Sequence, residues 1–239
     1  MRTYDEEIER NLYLKDLLVG KRLGPLTGVP NIDRPWLKYY SNEELMAKSI
    51  NKTVYRYLYE ENKKYPNATA IIFANREIKY FELFSQIERV AKALKSMGVK
   101  KGEVVTICLP NTPESAYLFY ACSMIGAIAD YIDPTESEEG LEKYLNISNP
   151  RHLVMLDMCF DKFTNLIEKK KIENVVVTSP VESLPLVLNG LKIKTRISDR
   201  ELYNRHKNVM SNSTANYMFY KDFIKNGNRY NGVLEEEYE

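Results

Sequence analysis

The stretch Val104–Pro134 sets the tightest limit on what this 239-residue chain can fold into. It opens with a short apolar run, Val104–Leu109, suited to a strand buried on both faces. Pro110-Asn111-Thr112-Pro113 then breaks the strand and starts a helix, with Thr112 at the N-cap and Pro113 at the first helical position, where a missing N–H costs nothing. From Ala116 to Ile125 the helix is apolar on nearly every face, which predicts burial. Gly126 ends it where a left-handed residue is needed. Ile128–Ile132 reads as a second buried strand, closed by Asp133-Pro134. This is a complete strand–helix–strand unit, and such units cross over right-handed between parallel strands.

The same alternation continues. Leu141, Tyr144 and Leu145 mark a helix face behind Thr135-Glu136-Ser137-Glu138, which matches a capping box. His152–Leu156 and Asn174–Thr178 are further short apolar runs, and Phe160–Lys171 between them reads as a helix. The pattern predicts an α/β domain with a mainly parallel sheet flanked by helices. Upstream, Thr53–Tyr65 reads as a helix capped by Thr53, and Ala70–Phe73 with Glu77–Tyr80 as a hairpin about Ala74-Asn75-Arg76. Tyr80–Met97 is the clearest amphipathic helix, with Leu83, Ile87, Val90, Leu94 and Met97 on one stripe. Its start lacks a good cap, since Lys79 stands there, and Glu82 near the positive helix end offsets part of that loss. Beyond Pro180 the signals weaken: Val181–Leu191 reads as a helix containing Pro185, and Tyr217–Gly227 as a last short helix.

Residues 1–20 place Ile8, Leu12 and Leu17-Leu18 on one helix face. Gly20–Pro35 reads as an irregular connection, and Pro35–Tyr40, with the single Trp, as an anchor for an N-terminal arm. The organisation expected is thus an arm over 1–48 and one incomplete domain over 49–239.

Composition narrows the function classes. The 34 basic and 33 acidic residues leave a formal charge of +1, so no electrostatic footprint for nucleic acid or an anionic membrane is present. The longest apolar stretch is interrupted by Tyr, Ser, Gly and Asp and reads as core, not as a membrane span. The acidic start, Met1–Glu7, predicts no signal peptide. Three separated cysteines, Cys108, Cys122 and Cys159, all in apolar context, predict a reducing compartment, and the cytoplasm is the expected location.

No chemistry follows from the residues alone. Neither a G-x-G-x-x-G nor a G-x-x-x-x-G-K-[ST] stands in the sequence, and the 10 glycines form no phosphate cradle. His152 and His206 lack zinc-ligand spacing, and a satisfied structural role fits His152 better. Ser123 and Ser179 lack a G-x-S-x-G elbow. Lys169-Lys170-Lys171 suits a solvated helix end better than an anion site. Asp133 and Asp157 stand at the carboxyl ends of expected parallel strands, where open α/β sheets hold ligands, although capping of the next helix explains them more simply. No catalytic, cofactor-binding or metal-ligating residue is assigned.

Three stretches together resemble the N-terminal portion of the AMP-forming adenylating enzymes. Ile78-Lys79-Tyr80-Phe81-Glu82-Leu83 is similar to a [LI]-[ST]-Y-x-E-L motif, with Lys79 as the departure. Leu109-Pro110-Asn111-Thr112-Pro113-Glu114 resembles L-P-N-x-x-E. Met124–Pro134 resembles G-A-x-x-x-P-x-[ND]-P, with Asp130 or Tyr131 where a proline is common. Pro35–Tyr40 also looks like the N-terminal arm of acyl-CoA synthetase-like members. The resemblance implies the N-terminal subdomain of an acyl-CoA synthetase-like fold. It implies a parent activity that joins a fatty acid or other carboxylate to ATP as an acyl-adenylate and passes the acyl group to CoA. ATP, magnesium and CoA are then implied for the full-length enzyme and none for this fragment, because the phosphate loop [ST]-G-T-T-G-x-P-K-G is expected only beyond Glu239. Asp133–Thr135 are remote candidates for a CoA contact on the same ground. The alternative is a stand-alone, non-catalytic binding or scaffold module built on this fold. Either way a truncated domain is expected to expose a surface open to self-association.

Overall fold

The computed structural model describes residues 27–30, 39, 51–179 and 189–235, the side chains of 189–200 excepted. The chain divides into two compact units, Met1–Asn51 and Lys52–Glu239. In the first, only 27–30 and Tyr39 are described, and there Thr27 Oγ1 accepts from the Val29 N–H. The Ile8–Leu18 helix face lies outside the described residues, as does the Pro35–Tyr40 arm apart from Tyr39.

The second unit begins with α1 (Val54–Asn62), whose N-cap Thr53 accepts from the Arg56 N–H. β1 (Thr69–Phe73) and β2 (Arg76–Lys79) pair antiparallel. Ala74 and Asn75 join them with φ of 48° and 61°, the left-handed pair that a two-residue hairpin turn requires. α2 (Tyr80–Ser96) follows directly. Lys79 gives it no side-chain cap; Glu82 lies in its first turn, paired with Arg76.

The rest of the chain alternates. In order come β3 (Val104–Cys108), α3 (Pro113–Met124), β4 (Ile128–Tyr131), α4 (Glu138–Ser148), β5 (His152–Leu156), α5 (Phe160–Lys169), β6 (Asn174–Thr178), α6 (Asn189–Asn212), β7 (Asn216–Phe219) and α7 (Tyr220–Gly227). The five later strands form one parallel sheet ordered β4-β3-β5-β6-β7. Right-handed crossovers put α3 on one face and α4, α5 and α6 on the other. α2 packs against both α3 and α7, completing the first layer, while α4 packs against α5. The α/β fold with a parallel sheet flanked by helices is therefore as the sequence implies.

Several local expectations are corrected. β4 is not a buried strand but a sheet edge, and Ile128 and Tyr131 are exposed. An apolar run does not reveal whether a strand will have one neighbour or two. Asp130 explains itself here: its Oδ2 accepts, at 2.7 Å, from the fully buried Thr106 hydroxyl opposite it on β3. The cap of α4 is Ser137, which accepts from the Gly140 N–H, while Thr135 turns back to Asp133. Thr112 holds the N-cap position of α3 without a side-chain cap bond. Tyr217–Gly227 is not one helix, because Asn216–Phe219 pairs with β6 before α7 begins. The Val181–Leu191 helix lies mostly outside the described residues, and the 24-residue α6 that follows has no counterpart in the sequence reading. Its polar, weakly periodic sequence hides it.

At the amino edge of the sheet, His152, Asn174 and Asn216 lie opposite one another on β5, β6 and β7. The Asn174 amide donates to His152 Nδ1 at 3.2 Å, and the Asn216 amide to Asn174 Oδ1 at 3.2 Å. His152 Nε2 therefore carries the proton and faces Glu103 Oε2 at 3.4 Å. Arg151 bridges Glu103 and Glu173, reaching Glu173 at 2.7 Å and 2.8 Å. Burial holds the His152 imidazole below its ordinary pKa, against the opposing pull of Glu103. Glu103 is also held low, by the Lys100 N–H, His152 and Arg151, which outweigh its own burial.

Two outcomes follow from this packing. Below about pH 6.5, the ordinary value of an exposed imidazole, the unfolded chain takes up a proton that folded His152 resists, so stability falls as pH drops through that window. The urea midpoint measured from pH 8 to pH 5, values chosen to span roughly that window, should fall on the acid side, and His152→Gln should flatten this step. On α7, a Cβ at Gly227 would sit 2.7 Å from Ala93 N and 2.8 Å from its Cα. Gly227→Ala should push α7 off α2 and cost about 1–3 kcal/mol in urea unfolding.

Candidate functional site at the carboxyl edge of the sheet

The chain leaves β3 for β4 on one side and returns to β5 on the other, so the strand order reverses between β3 and β5. Open α/β sheets bind ligands outside the carboxyl ends of the strands at such a switch point. Three segments border it: Leu109–Thr112 after β3, Ile132–Ser137 after β4, and the 3-10 turn Asp157–Cys159 after β5.

Asp133 is exposed, and its Oδ1 accepts from the Thr135 N–H at 2.8 Å and from the Thr135 hydroxyl at 2.7 Å. These bonds, with Lys162 nearby, hold its carboxyl below the usual range. This is an Asx turn, the role the simpler reading gave it. Asp157 is half-buried; its Oδ1 accepts from the Met158 N–H at 2.7 Å, and Ser179 bonds its side chain. Burial pushes its carboxyl up, against those two bonds.

Three other side chains converge here that sequence reasoning did not single out as a group. Lys162 of α5 donates to the Glu136 carbonyl at 2.8 Å and the Pro134 carbonyl at 3.3 Å, pinning the loop after β4. Cys108 closes β3, Cys159 closes the 3-10 turn, and their thiols are in hydrogen-bond contact. The available signal was that both cysteines end apolar runs on strands that the topology makes neighbours. Thr178 Oγ1, at the carboxyl end of β6, is buried without a partner among the described residues.

The remaining candidates lie apart from this edge. His152 is at the opposite end of β5. His206 stacks on Phe160 at 4.2 Å, with Nε2 3.5 Å from Asp161 Oδ1. Ser123 accepts from the Tyr55 N–H at 3.1 Å and so anchors α1 to α3. Lys169 and Lys170 both pair with Glu142, which accounts for two of the three lysines at the end of α5.

The groups that the fold implies do not fit these residues. No set of three His, Cys, Asp or Glu among the described residues is placed to hold a metal ion. The one cation at the edge, Lys162, is engaged by two carbonyls, and the exposed Asp133 carboxylate would repel a phosphate. The edge as it stands organises backbone; it does not supply ATP or CoA phosphates with donors.

The three motif stretches fall on three joints of this architecture. Ile78–Leu83 spans the passage from β2 into α2, Leu109–Glu114 that from β3 into α3, and Met124–Pro134 runs from the end of α3 through β4 into the Asp133 turn. Residues 58–220 match the family described as AMP-binding enzyme. The chain belongs to that family. It is 27% identical over 159 residues to a long-chain-fatty-acid–CoA ligase of Bacillus subtilis, covering 66% of this chain and 28% of the relative. It is 43% identical over 84 residues to an acetyl-coenzyme A synthetase of Emericella nidulans, covering 33% of this chain and 12% of the relative. Among solved structures it resembles a long-chain-fatty-acid-CoA ligase from Archaeoglobus fulgidus, with TM-score 0.51 and 26% identity over 55% of this chain and 28% of that one. A luciferase-like enzyme from the mealworm Zophobas morio shares the fold, with TM-score 0.51 at 21% identity over 55% of this chain and 33% of that one. The chain thus spans less than a third of the curated ligases it matches.

Lys162→Ala should free the Pro134 and Glu136 carbonyls and cost about 1–3 kcal/mol. Hydrogen exchange at 133–137 should speed up in this variant while the amides of β3 and β5 lose only what the global loss predicts.

Proposed function

We propose that this chain is the N-terminal subdomain of an AMP-forming acid–thiol ligase, an acyl-CoA synthetase, and that it forms no adenylate by itself. The complete ligase would join a carboxylate to ATP, release pyrophosphate, and pass the acyl group to the CoA thiol. ATP, magnesium and CoA would be held by residues other than those described, in keeping with the poor fit of the sheet edge to phosphates. A cytoplasmic setting is part of the same reading. The observation that carries it is the family match over 58–220 together with three motif stretches, each seated on a joint of one sheet. A long-chain fatty acid is the preferred carboxylate, supported by ligases so named among both the sequence relatives and the solved structures. Acetate is the second choice, favoured by the higher identity of the acetyl-coenzyme A synthetases over shorter spans.

Exchange of labelled pyrophosphate into ATP tests both parts. The isolated chain should stay at background with acetate, octanoate and palmitate. Joined to the remainder of the Bacillus ligase beyond the matched region, it should restore exchange with long-chain acids. Exchange by the chain alone would overturn the inactivity; a folded chimera silent with every acid would overturn the ligase reading.

A further inference from the structure

Cys108 and Cys159 meet at the switch point. Cys108 is the last residue of β3 and pairs with Met155 of β5, and Cys159 lies just beyond β5 at the end of the 3-10 turn. The Cys108 S–H donates to the Cys159 sulfur, and Cys159 Sγ stands 3.6 Å from the Pro134 carbonyl. Lys162 Nζ approaches the same carbonyl at 3.3 Å. Both thiols are buried and free, while the third cysteine, Cys122, sits within α3.

We propose that Cys108 and Cys159 are a redox modification site, forming a reversible disulfide when the protein meets a hydroperoxide. The Cys159 sulfur attacks one peroxide oxygen, the O–O bond breaks, and the other oxygen leaves as hydroxide or alkoxide. The Cys108 sulfur then attacks the resulting sulfenic acid, the S–O bond breaks, and water leaves with the Cys108 proton. Two thiols lose two electrons and the peroxide gains them. The order of attack follows from the surroundings. Cys159 accepts the Cys108 hydrogen bond and lies near Lys162, which together lower its thiol pKa against burial and Asp157. Cys108 donates that bond and is buried, which pushes it up. The product would tie the end of β3 to the turn after β5 and fix the mouth of the crevice. The inference does not rest on the ligase reading.

The purified chain, treated with hydrogen peroxide under native conditions, is quenched and unfolded for thiol titration and peptide mapping. Titratable thiols should fall from three to one. A Cys108–Cys159 cross-linked peptide should appear, lighter by two hydrogens, and dithiothreitol should restore all three thiols. Cys108→Ala should trap a dimedone-reactive sulfenic acid at Cys159, and Cys159→Ala should leave Cys108 unreacted. Exposed Met158 beside the pair is oxidised independently, and mapping separates its sulfoxide. The proposal is overturned if native protein yields no such cross-link, yields one through Cys122, or forms it only after unfolding in urea.

Discussion

The structure depends on burying β3 on both faces and along both edges. Val105, Ile107 and Cys108 have no exposed surface, and the strand bonds β4 on one side and β5 on the other. A strand so placed cannot leave a backbone group unpaired, so two parallel neighbours are obligatory. Parallel neighbours in turn demand crossover helices, and those helices need apolar faces of their own. α2 supplies Leu83, Ile87, Val90 and Leu94, and α5 supplies Phe163, Leu166 and Ile167. At about 1.5–3 kcal/mol for each such side chain, the two layers supply the main force that holds the sheet.

The two ends of the sheet are finished differently. The amino end is closed by ion pairs and a polar ladder from Glu103 through Arg151, His152 and Asn174 to Asn216. Arg151 and Glu173 are half exposed, so their pairing is screened and sets register more than stability. The carboxyl end is held by turns and by one lysine on two carbonyls. A surface held through backbone carbonyls can be altered by loop sequence without disturbing the core below it. At the lateral edge, β4 is only four residues long and carries Asp130 turned to Thr106, while the Tyr131 hydroxyl donates to the Ser115 carbonyl at 2.7 Å. A short strand with a charge on it is a poor template for another chain.

The layered α/β architecture was legible because each strand run and each helix stripe repeats its period several times between Val54 and Thr178. Thr53, Gly126 and the Ala74-Asn75 turn were legible because their backbone roles are local. What escaped depends on partners distant in sequence. β4 reads like β3, and only its single neighbour makes it an edge. β7 reads as helix onset because Tyr217, Met218 and Phe219 suit either state, and β6 decides between them. Lys162 is one lysine among many until the loop after β4 folds back under it. Cys108 and Cys159 are 51 residues apart and become a pair only through the strand order.

This division also explains why the family could be recognised while no catalytic residue could be assigned. The residues that carry the resemblance act on the backbone. Lys79-Tyr80 turns a strand into a helix without a loop, Pro113 begins α3 with no wasted N–H, and Gly126, at φ 70°, lets the chain leave α3 for β4. Each is fixed by geometry, and a side chain that serves geometry need not touch a ligand. Glu114 fits the same account, since only 4% of its surface is exposed in the first turn of α3, where a carboxylate meets the positive end of the helix. Chemistry on such a scaffold belongs to the loops at the carboxyl edge. Those present here spend their polar atoms on one another, so any ligand held at the switch point must be gripped mainly by groups that approach it from outside these loops.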